Sequence, residues 1–100
     1  MFDKLNYEDF CEILDTDFRL ADTSSDVKLK FFEISEKKET ARTILFSLYL
    51  KSPIDVFLEQ KIYSLQHEKY GTGSLFIVPI RRDGDGIVYE SVFNRFSENQ

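Results

Sequence analysis

A chain of 100 residues with ten Phe, five Tyr, no Trp and a net charge of −5 holds material for one modest core, and reads as a single β-rich domain over 1–100. The acidic balance, with Glu33, Glu36 and Glu39 set among the lysines, argues against nucleic acid, because phosphate backbones are bound by clustered Lys and Arg. Cys11 stands alone, so no intrachain disulfide is possible, and the longest apolar run, residues 75–80, is far too short for a membrane span.

Residues 1–6 lack the basic and apolar regions of a signal peptide, so a cytoplasmic location is expected, with leaderless export left open. Asn6 is a suitable N-cap, and Glu8 and Asp9 follow where a helix dipole favours negative charge. Phe10, Ile13 and Leu14 then share a face, which predicts a short helix set as a plug against the end of a sheet. Residues 18–21 read as a short strand, closed by a polar, turn-rich stretch over 22–26.

Residues 27–35 alternate, with Val27, Leu29 and Phe31 on one face and Lys28 and Lys30 on the other. The slip at Phe31-Phe32 points to a bulge or to burial on both faces. Residues 36–39 read as a charged connection. The next strand covers 42–50, with Ile44, Phe46, Leu48 and Leu50 facing one way, and is ended by Lys51-Ser52-Pro53. Residues 56–61 admit a helical stripe of Phe57, Lys61 and Leu65, but a loop is preferred, followed by a strand over 62–68 with Tyr63, Leu65 and His67 alternating.

Gly71-Thr72-Gly73 supplies a turn into a final hairpin over 73–94, whose tip is formed by Asp83-Gly84 and Asp85-Gly86. Pro79 has no amide hydrogen, so it fits only an edge or a bulge. The sum is mainly β: a small antiparallel meander barrel or strongly curved sheet of about six strands, with one short N-terminal helix.

Chemistry-bearing residues are sparse. His67 is the only histidine; it could serve as a base or proton switch with Glu68 or Tyr70 beside it, or simply fill an inward strand position with a ring nitrogen hydrogen-bonded. Asp83 and Asp85 have the opening spacing of a calcium loop, but the twelfth position is Asn94, and Asp-Gly turn chemistry accounts for both. Cys11 is expected to be buried as a small hydrophobe. No cofactor or metal is implied. Tyr49, Tyr63, Tyr70 and Tyr89 could form a contact surface if they lie outside the core.

The block Phe76-Ile77-Val78-Pro79-Ile80, Asp83-Gly84-Asp85-Gly86, Tyr89-Glu90-Ser91-Val92-Phe93-Asn94 resembles the C-terminal signature of a small bacterial family of uncharacterised domains of similar length. Weaker similarity extends upstream through Glu8-Asp9-Phe10, Phe18, Phe46, Gln60, Tyr63, Leu65 and His67; members commonly carry Gly where this chain has Lys61, and Gly near Asp15. The resembled family has no established enzymatic activity to carry over. The resemblance implies a neighbourhood of proteins like phage tail-collar or fibre proteins.

The expected function is therefore a non-enzymatic protein-binding accessory, adaptor or chaperone-like module of a bacterial assembly, using a strand edge or an aromatic patch. Tyr49, Tyr63, Pro79, Tyr89 and Phe93 are the candidate contact residues. The alternative is a small-ligand-binding barrel with aromatics and His67 at its mouth, and the third possibility is an enzyme joining His67 to Glu59 or Glu90.

Overall fold

The computed structural model describes residues 2–21 and 26–96. A 3-10 turn, Phe2–Lys4, leads into α1 (Tyr7–Glu12). Seven strands follow: β1 (Asp17–Leu20), β2 (Lys28–Ile34), β3 (Lys38–Glu39), β4 (Thr43–Pro53), β5 (Lys61–His67), β6 (Gly71–Asp83) and β7 (Gly86–Phe96). Six of them close an antiparallel barrel in the order β1, β2, β4, β7, β6, β5, with β5 returning to β1. The succession is not a plain meander, because β4 pairs with β7 along its whole length and β5 pairs with β1.

Period-two patterning fills the barrel. Phe18, Leu29, Phe31, Phe46, Leu48, Leu50, Leu65, Leu75, Ile77 and Tyr89 point inward and are buried. The register slips between Phe31 and Glu33, so the double Phe marks a bulge in β2. A second slip, between Pro79 and Arg81, places Pro79 beside a bulge in β6. The same stretch of β6 extends past the last β5 rung, Lys61 opposite Ile77, so Pro79 is also on an edge.

β6 and β7 pair from the Val78–Glu90 rung to the Asp83–Gly86 rung. On the other side of the Val78–Glu90 rung, β6 is paired only with β5 and β7 only with β4, and the N-terminal segment lies against both. Phe2 packs where a side chain on Gly73 would stand: a Cβ there would lie 2.7 Å from its ring. The Arg95 guanidinium of β7 donates to the carbonyl oxygens of Leu5 and, at 3.0 Å, of Phe2. α1 is held by a reciprocal cap: Asp9 N–H donates to Asn6 Oδ1 at 2.7 Å, and Asn6 N–H donates to Asp9 Oδ2 at 3.0 Å. Phe10 and Ile13 are buried with Phe2 and Leu5, so this segment is the plug expected from the sequence.

Several local expectations are corrected. The helix ends before Leu14, because Asp15 adopts φ 71 and turns the chain into β1, leaving Leu14 exposed. Residues 22–25 of the expected turn lie outside the described residues. The connection over 36–39 contains the two-residue β3, paired with β4 at Ile44 and Leu45. β4 does not stop at Leu50: Ser52 is buried, and Pro53 arrives only at the last rung, opposite Gly86. The β5–β6 turn spans 68–70 with Gly71 at φ 78, so Gly73 is a strand residue. Cys11 is exposed, since the buried side of α1 carries Phe10.

The β6–β7 turn has two central residues. Gly84 takes φ 60 and Asp85 does not take positive φ, the sign pattern of a type II′ turn. Lys51 Nζ lies 3.2 Å from Asp85 and 3.9 Å from Asp83, so both carboxylates face a lysine on β4. That hydrogen bond holds the Asp85 carboxyl below its usual range.

Candidate functional site

His67 ends β5 and turns inward with Leu65, leaving it 4 % exposed. Its Nδ1 accepts the Lys69 amide at 3.0 Å, and its Nε2 lies 2.7 Å from Thr16 Oγ1. The Thr16 hydroxyl donates to Ile13 O at 2.6 Å, so its proton is committed there. Nε2 must therefore be the donor to Thr16, and the ring is neutral with both nitrogens engaged. The Phe18 ring packs at 4.9 Å and the Tyr70 ring at 5.9 Å. Burial pushes the imidazole pKa below its ordinary value, with Glu68 and Asp17 opposing and Lys69 reinforcing the shift.

Sequence reasoning offered Glu68 and Tyr70 as partners for this ring; the hydrogen-bonding partners are Thr16 and the Lys69 amide. Neither distant carboxylate reaches it. Glu90 stands opposite Val78, seven residues along β6 from the Gly71 that pairs with His67, roughly 23 Å at strand rise. The Glu90 carboxylate instead accepts the Ser47 hydroxyl at 2.7 Å. Glu59 lies before the start of β5, at the opposite end of that strand. A cleft of about 690 Å³ opens beside His67, with Glu12, Asp17 and Glu68 balancing Arg19, Lys28 and Lys69 around it.

The five aromatic and proline candidates do not gather on one surface. Tyr89 is fully buried, and its hydroxyl accepts the Leu58 amide at 3.1 Å, lies 3.3 Å from Val56 O and 3.0 Å from Ser52 Oγ. It anchors the β4–β5 loop and is unavailable to a partner. Phe93 faces the plug, stacked on Phe46 at 5.2 Å and 5.0 Å from Phe10, with Arg95 over its ring. Tyr63 packs against the core and donates to Glu59 O. Pro79 stands opposite Tyr89 and so shares its side of the sheet. Only Tyr49 belongs to the outer face, opposite Glu90 on β7 and Glu33 on β2.

The outer face carries two residues that the sequence reading passed over. Ile62 of β5 and Phe76 of β6 are cross-strand partners and are 66 % and 46 % exposed. The next rungs of the hairpin are polar: Ser64 opposite Ser74, then Gln66 opposite Thr72. Val92, 52 % exposed, is a further outward apolar residue on β7, opposite Ser47. A signal for Ile62 was present: if Tyr63, Leu65 and His67 face inward, Ile62 must face outward. Phe76 lies in a run of apolar neighbours, where alternation cannot show which side is wet.

The free edge of β6 is a poorer surface. Pro79, the bulge at Ile80 and the exposed Arg81 and Arg82 are the devices by which edge strands resist pairing with another chain. Among the described residues, no helix is long and apolar enough to cross a membrane. No curated protein and no solved structure matches the chain. Residues 5–93, which take in α1 and all seven strands as far as Phe93, match the family described as Domain of unknown function (DUF6916), and the chain belongs to that family.

Proposed function

We propose that this chain is a non-enzymatic protein-binding module, an adaptor or chaperone-like accessory of a bacterial assembly, and that it docks through the outer face of the β5–β6 hairpin. The single observation that supports it is the Ile62–Phe76 pair, two large apolar side chains joined across strands and left in water. Isolated exposed hydrophobes are ordinary, but an adjacent pair offers a contiguous surface that a partner can dehydrate. The partner reads this face with side chains. Strand addition at β6 is the weaker mode, because Pro79 and the bulge interrupt the edge.

The resemblance of the C-terminal block to domains found beside tail-collar and fibre proteins makes such a protein the first partner to test. Calorimetric titration of the chain with tail-collar- or fibre-like proteins of its own host should show binding. The double variant Ile62→Ser, Phe76→Ser should lose that binding by at least about tenfold while keeping its melting temperature, because neither side chain belongs to the interior. Undiminished binding by a folded double variant would sink the assignment of this face. Failure of every neighbouring gene product to bind the wild-type chain would sink the adaptor reading itself.

A further inference from the structure

We propose that His67 is an acid-released latch that fastens the N-terminal plug to the β5–β6 turn. The ring joins two elements far apart in sequence. Through Nδ1 it holds the Lys69 amide, and so the turn over 68–70. Through Nε2–H and Thr16 it reaches the carbonyl oxygen of Ile13, the C-cap residue of α1.

The arrangement tolerates only the neutral ring. A backbone amide can donate and cannot accept, so a proton on Nδ1 would face another N–H. The imidazolium would also sit almost out of water, against Phe18. The charged groups lining the adjoining cleft are Glu12 from α1, Asp17 and Arg19 from β1, Lys28 from β2, and Glu68 and Lys69 from the turn. Three acids and three bases leave no surplus of negative charge to hold an imidazolium in place. The cleft supplies the route by which water and a proton reach the ring once the turn moves.

The direction of the effect follows from proton linkage. In the closed state burial keeps the ring neutral below its ordinary pKa of 6.5, whereas an open state that releases the ring to water titrates near that value. Above 6.5 neither state takes the proton, and closure is unaffected. As pH falls from 6.5 towards the closed-state pKa, the open state binds more protons, and its population rises about tenfold per pH unit. Below the closed-state pKa the effect levels off. The latch is independent of the outer docking face, which lies on the other side of β5.

The test is nuclear magnetic resonance and amide exchange on the full chain between pH 8 and pH 4, with His67→Gln as the non-titrating comparison. At neutral pH the ring nitrogens should report the Nε2–H tautomer. On acidification, protection of the Lys69 amide should fall about tenfold per pH unit below 6.5, moving together with the Ile13 and Thr16 signals, while the far-ultraviolet spectrum of the barrel persists. The pH slope should vanish in His67→Gln. An Nδ1–H tautomer would overturn the latch, as would a ring titrating near 6.5 with the Lys69 amide unmoved. An equal slope in the variant, or global unfolding before any local change, would do the same. Should His67→Gln not fold, the tautomer and the coupled slope of the wild-type chain decide the matter.

Discussion

Asp15 is the residue at which local geometry departs furthest from what its side chain prefers. It holds φ 71 in the turn between α1 and β1, and its amide donates to Phe31 O at 2.7 Å, so the backbone cannot relax without losing a bond to β2. Left-handed backbone costs an L-residue about 1 kcal/mol, less for Asp than for branched residues. Asp15→Gly should therefore stabilise the chain by about 0.5 kcal/mol, the relief being partly offset by the freedom Gly adds to the unfolded state. Asp15→Val should destabilise it by more than about 1 kcal/mol. Urea titration of the three chains measures both. Tyr89 is the complementary case, a buried hydroxyl whose worth lies in the amide it satisfies. Tyr89→Phe leaves the Leu58 N–H without its acceptor and should cost about 1–3 kcal/mol. Tyr63→Phe removes a bond to Glu59 O at an exposed site and should cost less than about 1 kcal/mol. Faster proteolysis within residues 54–60 should accompany the first substitution and not the second.

At the level of elements, the plug depends on one missing side chain. Gly73 lies in β6 with ordinary strand backbone, so its value there is space: a Cβ would meet the Phe2 ring at 2.7 Å. Gly73→Ala must displace Phe2 or bend β6, and should cost about 1–3 kcal/mol by denaturant titration. The loss should shrink when Phe2→Leu is added, since the smaller side chain makes room. The sequence hinted at none of this, because Gly71-Thr72-Gly73 reads as a turn and alternation cannot tell a glycine of conformation from a glycine of clearance. What alternation could tell, it told well: the inward rows of β2, β4 and β5 follow from period two. At Phe31-Phe32 it left a bulge or burial on both faces, and at Pro79 backbone chemistry left an edge or a bulge, between which only the pairing decides. Pairing partners were less legible, because β4 against β7 is a contact between residues about forty apart that no local pattern encodes. The same limit governed the site. Tyr89 reads as a contact candidate in the sequence because aromatics suit both cores and interfaces, and only the strand order buries it. Thr16 was invisible as the partner of His67, since fifty-one residues separate them.

For the whole molecule, the question is whether the barrel stands without its N-terminal segment. Six strands close on one another, and closure alone satisfies most of their backbone groups. Yet the barrel is not sealed by strands all round. Where β6 and β7 part, the filling comes from Phe2, Leu5 and Phe10, and Ile13 at the end of α1 is buried in the same cluster with Phe18, Phe46 and Leu75. Each such side chain contributes about 1.5–3 kcal/mol by burial, so the segment supplies about 6–12 kcal/mol in all. That range overlaps the whole net stability of a typical domain, about 5–15 kcal/mol. Removal also strips the acceptors from Arg95, leaving a half-buried guanidinium beside exposed Phe46 and Phe93 rings. A chain starting at Leu14 should therefore lack a cooperative thermal transition and the dispersed amide spectrum of the full chain. Adding residues 1–13 back as a separate peptide should restore both at high peptide concentration, because the slot between β6 and β7 is shaped by that segment and binding would couple to folding. A truncated chain that melts cooperatively near the wild-type temperature would show instead that the strands alone close the barrel, and that the N-terminal segment is a cover laid over a finished core.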